Sequence, residues 1–197
     1  MIRAGGVFLA LAWLSACVMV APERATSLAS GAIQLQAPAG YCVDPMASRP
    51  AANFAVLAPC ATLGVDAPVP EVVGLVTVQT GEDGSGSIAV DEIALRDFLI
   101  TDDGRALLSN AGRAQDIRIL STQAFDDQVM VHFSDAGPPP LAGLQNQEWR
   151  AFRNVGGRLV TIGVRGLAAA PLADGPGAAL LKQVIAGLRS TAAGPAS

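Results

Sequence analysis

The sole histidine, His132, is the one side chain of this 197-residue sequence whose ordinary titration falls near neutral pH. Acid–base chemistry would begin there. A nucleophilic triad built on it would recruit Asp135 and a distant serine such as Ser85, because triads assemble from residues far apart in sequence. His132 also alternates with Val131 and Phe133 in an apolar run. That pattern equally describes a half-exposed strand residue whose imidazole faces water or a carboxylate. No Gly-x-Ser-x-Gly elbow occurs, and no Gly-x-x-x-x-Gly-Lys loop, since the only lysine is Lys182 near the end. Hydrolase and nucleotide-binding readings lose their best sequence support. A hydrolase using His132 with an acidic residue stands as the enzymatic alternative to a non-catalytic binding module.

Acidic pairs recur at Glu82-Asp83, Asp91-Glu92, Asp102-Asp103 and Asp126-Asp127, raising a hard-cation site as a further alternative. A calcium loop read from Asp83 puts Ile88 where glycine is required and Ala94 where the bidentate glutamate belongs. Turn formation and helix capping account for the pairs with fewer assumptions, and nothing singles out a carboxylate pair for glycoside hydrolysis. No cofactor motif and no metal-ligand spacing is present. Aromatic residues are only 5% of the chain, too few for a stacking platform. Trp149 and Phe152, three apart, fall on opposite faces of a strand, one in the core and the other exposed or interfacial. Tyr41 beside Cys42 is expected to pack over a disulfide.

Three cysteines are an odd number for an exported protein, so one needs a separate explanation. Leu14-Ser15-Ala16-Cys17 supplies it, closing an uncharged run that starts just after Arg3. This pattern resembles a bacterial lipobox, which implies cleavage before Cys17 and a diacylglycerol on its thiol. An uncleaved anchor continuing through Val18, Met19, Val20 and Ala21 is the second possibility, and cleavage after Ala21 the third. Val18 rather than aspartate after Cys17 implies, by the same resemblance, the outer membrane, with the protein facing the periplasm. Cys42 and Cys60 then remain as a pair in an oxidising compartment. Bridged, they gain roughly 3 kcal/mol in the chain-entropy model; two buried free thiols are the alternative.

Beyond the leader, about 180 residues suffice for one buried domain and fall short of two. The expected organisation is a signal peptide over 1–16, a lipidated tether over 17–30, one domain over 31–191 and a disordered tail over 192–197. Net charge is −4, or −5 once Arg3 leaves, so there is no basic stripe to track phosphates and nucleic acid is not a partner. The partners this reading implies are the membrane, through the lipid, and an envelope protein or small ligand.

Short alternating runs bounded by turn residues predict antiparallel strands over 32–36, 54–58, 72–79, 87–90, 116–121, 128–134, 148–153 and 158–164. Gly137-Pro138-Pro139-Pro140 forbids helix and central strand, leaving a stiff surface connection. The last helix has Asp174 as cap, Pro176 in its first turn and Leu180, Leu181, Val184, Ile185 and Leu188 on one face. A second helical region spans 91–110, begun by Asp91 or Glu92 and recapped at Thr101 or Asp102. The fold class is α+β: an antiparallel sheet with packed helices.

Gly40-Tyr41-Cys42-Val43-Asp44, then Cys60, and later Trp149-Arg150-Ala151-Phe152 and Gly157-Arg158-Leu159-Val160-Thr161, resemble a family of exported alphaproteobacterial proteins without characterised function. These motifs are structural, so the resemblance implies the disulfide and the final hairpin and transfers no active site. The order of sheet and helices is also similar to Mog1/PsbP-like domains, mostly accessory binding modules.

Overall fold

The computed structural model describes residues 22–191; Cys17, the rest of the expected leader and the expected tail over 192–197 lie outside them. Four long strands form one side of the main sheet, β6 at its edge: β6 (Ile117–Phe125), β7 (Gln128–Asp135), β8 (Gln147–Val155) and β9 (Arg158–Arg165). Two-residue turns close two of the hairpins. Asp126 and Asp127 sit at φ 53° and 56°, and Gly156 and Gly157 at 58° and 81°. Positive φ at both central residues is what matches a tight turn to strand twist. The sheet continues through β3 (Tyr41–Val43), β4 (Phe54–Pro59) and β5 (Leu75–Thr80), in the order β3-β4-β5-β9-β8-β7-β6, all antiparallel.

Alternate residues of this sheet serve two cores. Leu57, Val78, Met130, Trp149, Ala151, Ile162 and Val164 face α4 (Asp174–Ala186), whose Leu180, Leu181, Val184 and Ile185 are buried. On the same side lies a three-stranded sheet of β1 (Ala25–Leu28), β2 (Ile33–Gln36) and β10 (Leu188–Ser190), in the order β1-β2-β10. Val129, Val131 and Phe133 face the other way, against α1 (Ser87–Val90), α2 (Glu92–Leu99) and α3 (Asp102–Leu108). With both faces covered, β7 is buried along nearly its whole length, which is why its sequence is a continuous apolar run. Among the described residues no helix is long and apolar enough to cross a membrane.

The antiparallel α+β reading holds, and so do both inner caps: Asp91 accepts from the Ala94 N–H and Thr101 from the Gly104 N–H. Other expectations need correction. Ser87–Val90 is one helical turn instead of a strand. It buries Ala89 and exposes Ile88 and Val90, and over so few residues that pattern imitates period-two alternation. Asp174 lies in the first turn of α4, with Ala173 at the cap position and no side-chain cap. Leu188 leaves the helix. A Cβ on Gly187 would stand 2.1 Å from the Gln36 carbonyl oxygen, and this close approach lets the chain turn at once into β10. The folded part begins before residue 31: β1 pairs with β2 and Leu28 is fully buried, so residues 25–28, expected in a tether, belong to the domain.

Candidate functional site

His132 projects from β7 toward the α4 side and is buried, 5% exposed, in place of the half-exposed position expected of it. Its ring lies flat on Trp149 of β8, centroids 4.3 Å apart and planes 11° from parallel. Nε2 is hydrogen-bonded to Gln147 Oε1 at 3.1 Å, and Nδ1 stands 3.8 Å from a carboxylate oxygen of Asp174, whose side chain is 85% exposed. The strand pleat explains the meeting, since Gln147 and Trp149 are two apart and lie beside His132 in the β7–β8 ladder.

The imagined triad does not assemble. Asp135, an odd number of residues from His132, points to the opposite face and is 1% exposed. Its carboxylate accepts from the Asn110 N–H and Nδ2 and from the Gly137 N–H. Ser85 lies in the turn before α1, its hydroxyl donating to the Glu82 carbonyl and accepting from the Leu159 N–H. Ser121 pairs with His132 across the strands, yet no hydroxyl or thiol among the described residues is hydrogen-bonded to the imidazole. The ring is held by an amide, not set against a nucleophile.

Around His132 the surface is concave. One recess of about 270 Å³ is lined by Ser121, Gln123, Met130, His132 and Trp149. A wider, open groove of about 960 Å³ runs alongside between residues 144–147 and 171–175. Asp174 and Gly175 border both. Gln145 fixes the groove floor: its Oε1 accepts from the Leu172 N–H, its Nε2 donates to the Gln147 carbonyl, and its backbone N–H donates to the Gly166 carbonyl. Asn146, Gln147 and Asp174 offer donors and acceptors with a single negative charge, a surface suited to recognising polar groups.

A second polar cluster lies on the opposite face of the sheet. Glu148, 4% exposed, receives Arg150 Nε on Oε1 at 2.6 Å, while Arg165 Nη2 stands 2.5 Å from Oε2. Arg165 Nη1 donates to the Gln145 carbonyl and Arg150 Nη1 to the Leu108 carbonyl; the Arg150 guanidinium lies 5.1 Å from the Phe133 ring centroid. Sequence reading passed over all three, although charges at alternate positions of apolar strands were the available signal.

The remaining candidates have structural roles. Cys42 and Cys60 form a disulfide joining β3 to the turn after β4. Tyr41 points away from it into the core, where its hydroxyl donates to the Val72 carbonyl and accepts from the Gly74 N–H. Burial pushes its pKa up to about 12, against a smaller lowering by the Gly74 N–H. Phe152 is packed against the helical layer, not exposed, because helices cover that face as well. Among the acidic pairs, Asp91 caps α2, Asp102 and Asp103 open α3, Asp126-Asp127 forms a hairpin turn, and Asp83 lies 3.7 Å from Arg158. No group of three or more His, Cys, Asp or Glu able to hold a metal ion occurs among the described residues.

No protein-family profile matches the chain, and no curated protein matches it significantly in sequence. Solved structures do. The Saccharomyces cerevisiae Ran-binding protein Mog1p superposes with a TM-score of 0.51 at 14% identity, over 84% of this chain and 94% of that one. A point mutant of Mog1 gives 0.52 at 13%, with the same coverage. The cyanobacterial PsbP of Synechocystis sp. PCC 6803 gives 0.39 at 11%, over 88% and 95%. At such identities the likeness is one of fold: the chain is an α+β domain similar to Mog1.

Proposed function

We propose that this chain is a membrane-tethered lipoprotein of the bacterial envelope, held by acyl chains on Cys17, facing the periplasm from the outer membrane. Its domain acts as a non-catalytic binding module for an envelope protein. The observation that carries the binding reading is the open groove bounded by Asn146, Gln147 and Asp174, beside whose adjoining recess the histidine is hydrogen-bonded to an amide rather than to a nucleophile. That a protein of the same fold is named for binding Ran supports a protein as the occupant.

Photo-cross-linking residues placed at Gln147 and Asp174 test this directly in native membranes. Both positions are expected to capture the same envelope protein, and a third placed at the exposed Leu107 on the helical face is not. Adducts formed from Leu107 alone would move the interface to the helices and overturn the proposal.

A further inference from the structure

The Glu148–Arg150–Arg165 cluster is more than an ion pair inside a core, because it lines a cavity of about 250 Å³ on the helical side of the sheet. Phe54, Leu75 and Leu144 supply apolar wall, and Gly163 lies beneath the charges. A Cβ at Gly163 would stand 2.9 Å from both Glu148 Oε1 and Thr77 Oγ1. Glycine there keeps room beside the carboxylate.

The charges lining this space sum to +1, two arginines against Glu148. Asp135, the other buried acid of this face, has both oxygens occupied by N–H groups of Asn110 and Gly137 and does not line the cavity. Arg165 is 5% exposed, and its Nη2 has no hydrogen-bond acceptor despite the short approach to Glu148, the contact lacking hydrogen-bond geometry. The ion pair with Glu148 balances its charge, yet the donors of Nη2 are not aligned on that oxygen and can serve a further acceptor. Each guanidinium carries five donors in a planar fork that matches a carboxylate.

We infer that this cavity is a binding site for a small organic carboxylate, whose head accepts from Arg150 and Arg165 and whose short apolar body lies against Phe54, Leu75 and Leu144. A single negative charge neutralises the excess, whereas a phosphate dianion would overshoot it and leave the apolar wall unused. The volume lies just below the range of drug-sized pockets, about 300–1,000 Å³, which restricts the ligand to a small molecule. This cavity lies on the other face of the sheet from the His132 recess and shares only Leu144 with the groove beside α4.

Isothermal titration of the full chain in non-ionic detergent decides it, with sodium butyrate and sodium benzoate as probes, and butylammonium chloride and sodium chloride at matched ionic strength as controls. At least one carboxylate is expected to give saturable heat at one per chain, and the controls none. Arg150→Gln should weaken that binding tenfold or more. Leu75→Trp, which fills the cavity from its apolar wall and leaves the charges intact, should abolish it with an unchanged circular dichroism spectrum. No saturable heat from either carboxylate, equal heat from butylammonium or sodium chloride, or binding indifferent to both substitutions would each overturn the assignment.

Discussion

Tyr41 and His132 both bury a polar ring, and the two differ in what the ring's surroundings ask of it. The Tyr41 phenol is buried, and burial disfavours its charged form, so the folded state favours the protonated one, with the Gly74 N–H opposing this more weakly. Its pKa stands at about 12 against 10.0 for a free phenol. Stability from this residue is therefore fully present below about pH 10 and is lost as pH rises through 12. Tyr41 is the only tyrosine, so phenolate absorbance near 295 nm reports it alone. Melting temperature should fall more steeply over that window than in Tyr41→Phe, which should itself cost about 1–3 kcal/mol at pH 7 through two orphaned backbone groups. For His132 the stack on Trp149 sets the expectation. His132→Ala forfeits an aromatic pair and leaves a void, and urea denaturation should show a loss of about 1–3 kcal/mol. Loss of cellular function with stability fully retained would instead revive a catalytic role.

At the scale of elements, the first turns of α4 rest on Trp149 through a glycine, ahead of its large apolar face. A Cβ on Gly177 would lie 2.5–2.6 Å from atoms of the Trp149 ring, while one on Gly175, two residues earlier, meets nothing within 4 Å. Alanine is favoured over glycine in a helix by about 1 kcal/mol, and overpacking costs about 1–3 kcal/mol, so the two substitutions should differ in sign. Chemical denaturation is expected to show Gly177→Ala destabilised and Gly175→Ala neutral or slightly more stable. A similar result for both would mean that α4 does not rest on Trp149 as described. The long hairpins were legible at this scale because their turns carry Asp-Asp and Gly-Gly where positive φ is required. Ser87–Val90 was not, since one helical turn has too few residues for 3.6 and 2.0 periodicities to diverge.

For the whole molecule, the tether is the decisive expectation. Cys17→Ser should transfer the protein from the membrane to the soluble periplasmic fraction, because each buried methylene contributes about 0.8 kcal/mol and no helix among the described residues spans a bilayer. Immunoblotting of fractions reads this, and membrane retention of the variant would point to an uncleaved anchor. The α+β class, the long strands and the capped helices follow from local pattern, which sequence carries directly. β3 and β10 are only three residues each and β1, Ala-Thr-Ser-Leu, carries a single large apolar residue, so none shows an alternation, and they are paired because β2 and β4 offer them ladders. The site divides in the same way. His132 stands out by residue type alone, yet its partners are set by pleat and register: Asp135, near in sequence, is turned to the opposite face, and Asp174, forty-two positions on, is brought within 3.8 Å. The Glu148, Arg150 and Arg165 cluster depends on the pairing of β8 with β9 and on a helical layer that shuts out water, neither of which any stretch of sequence contains.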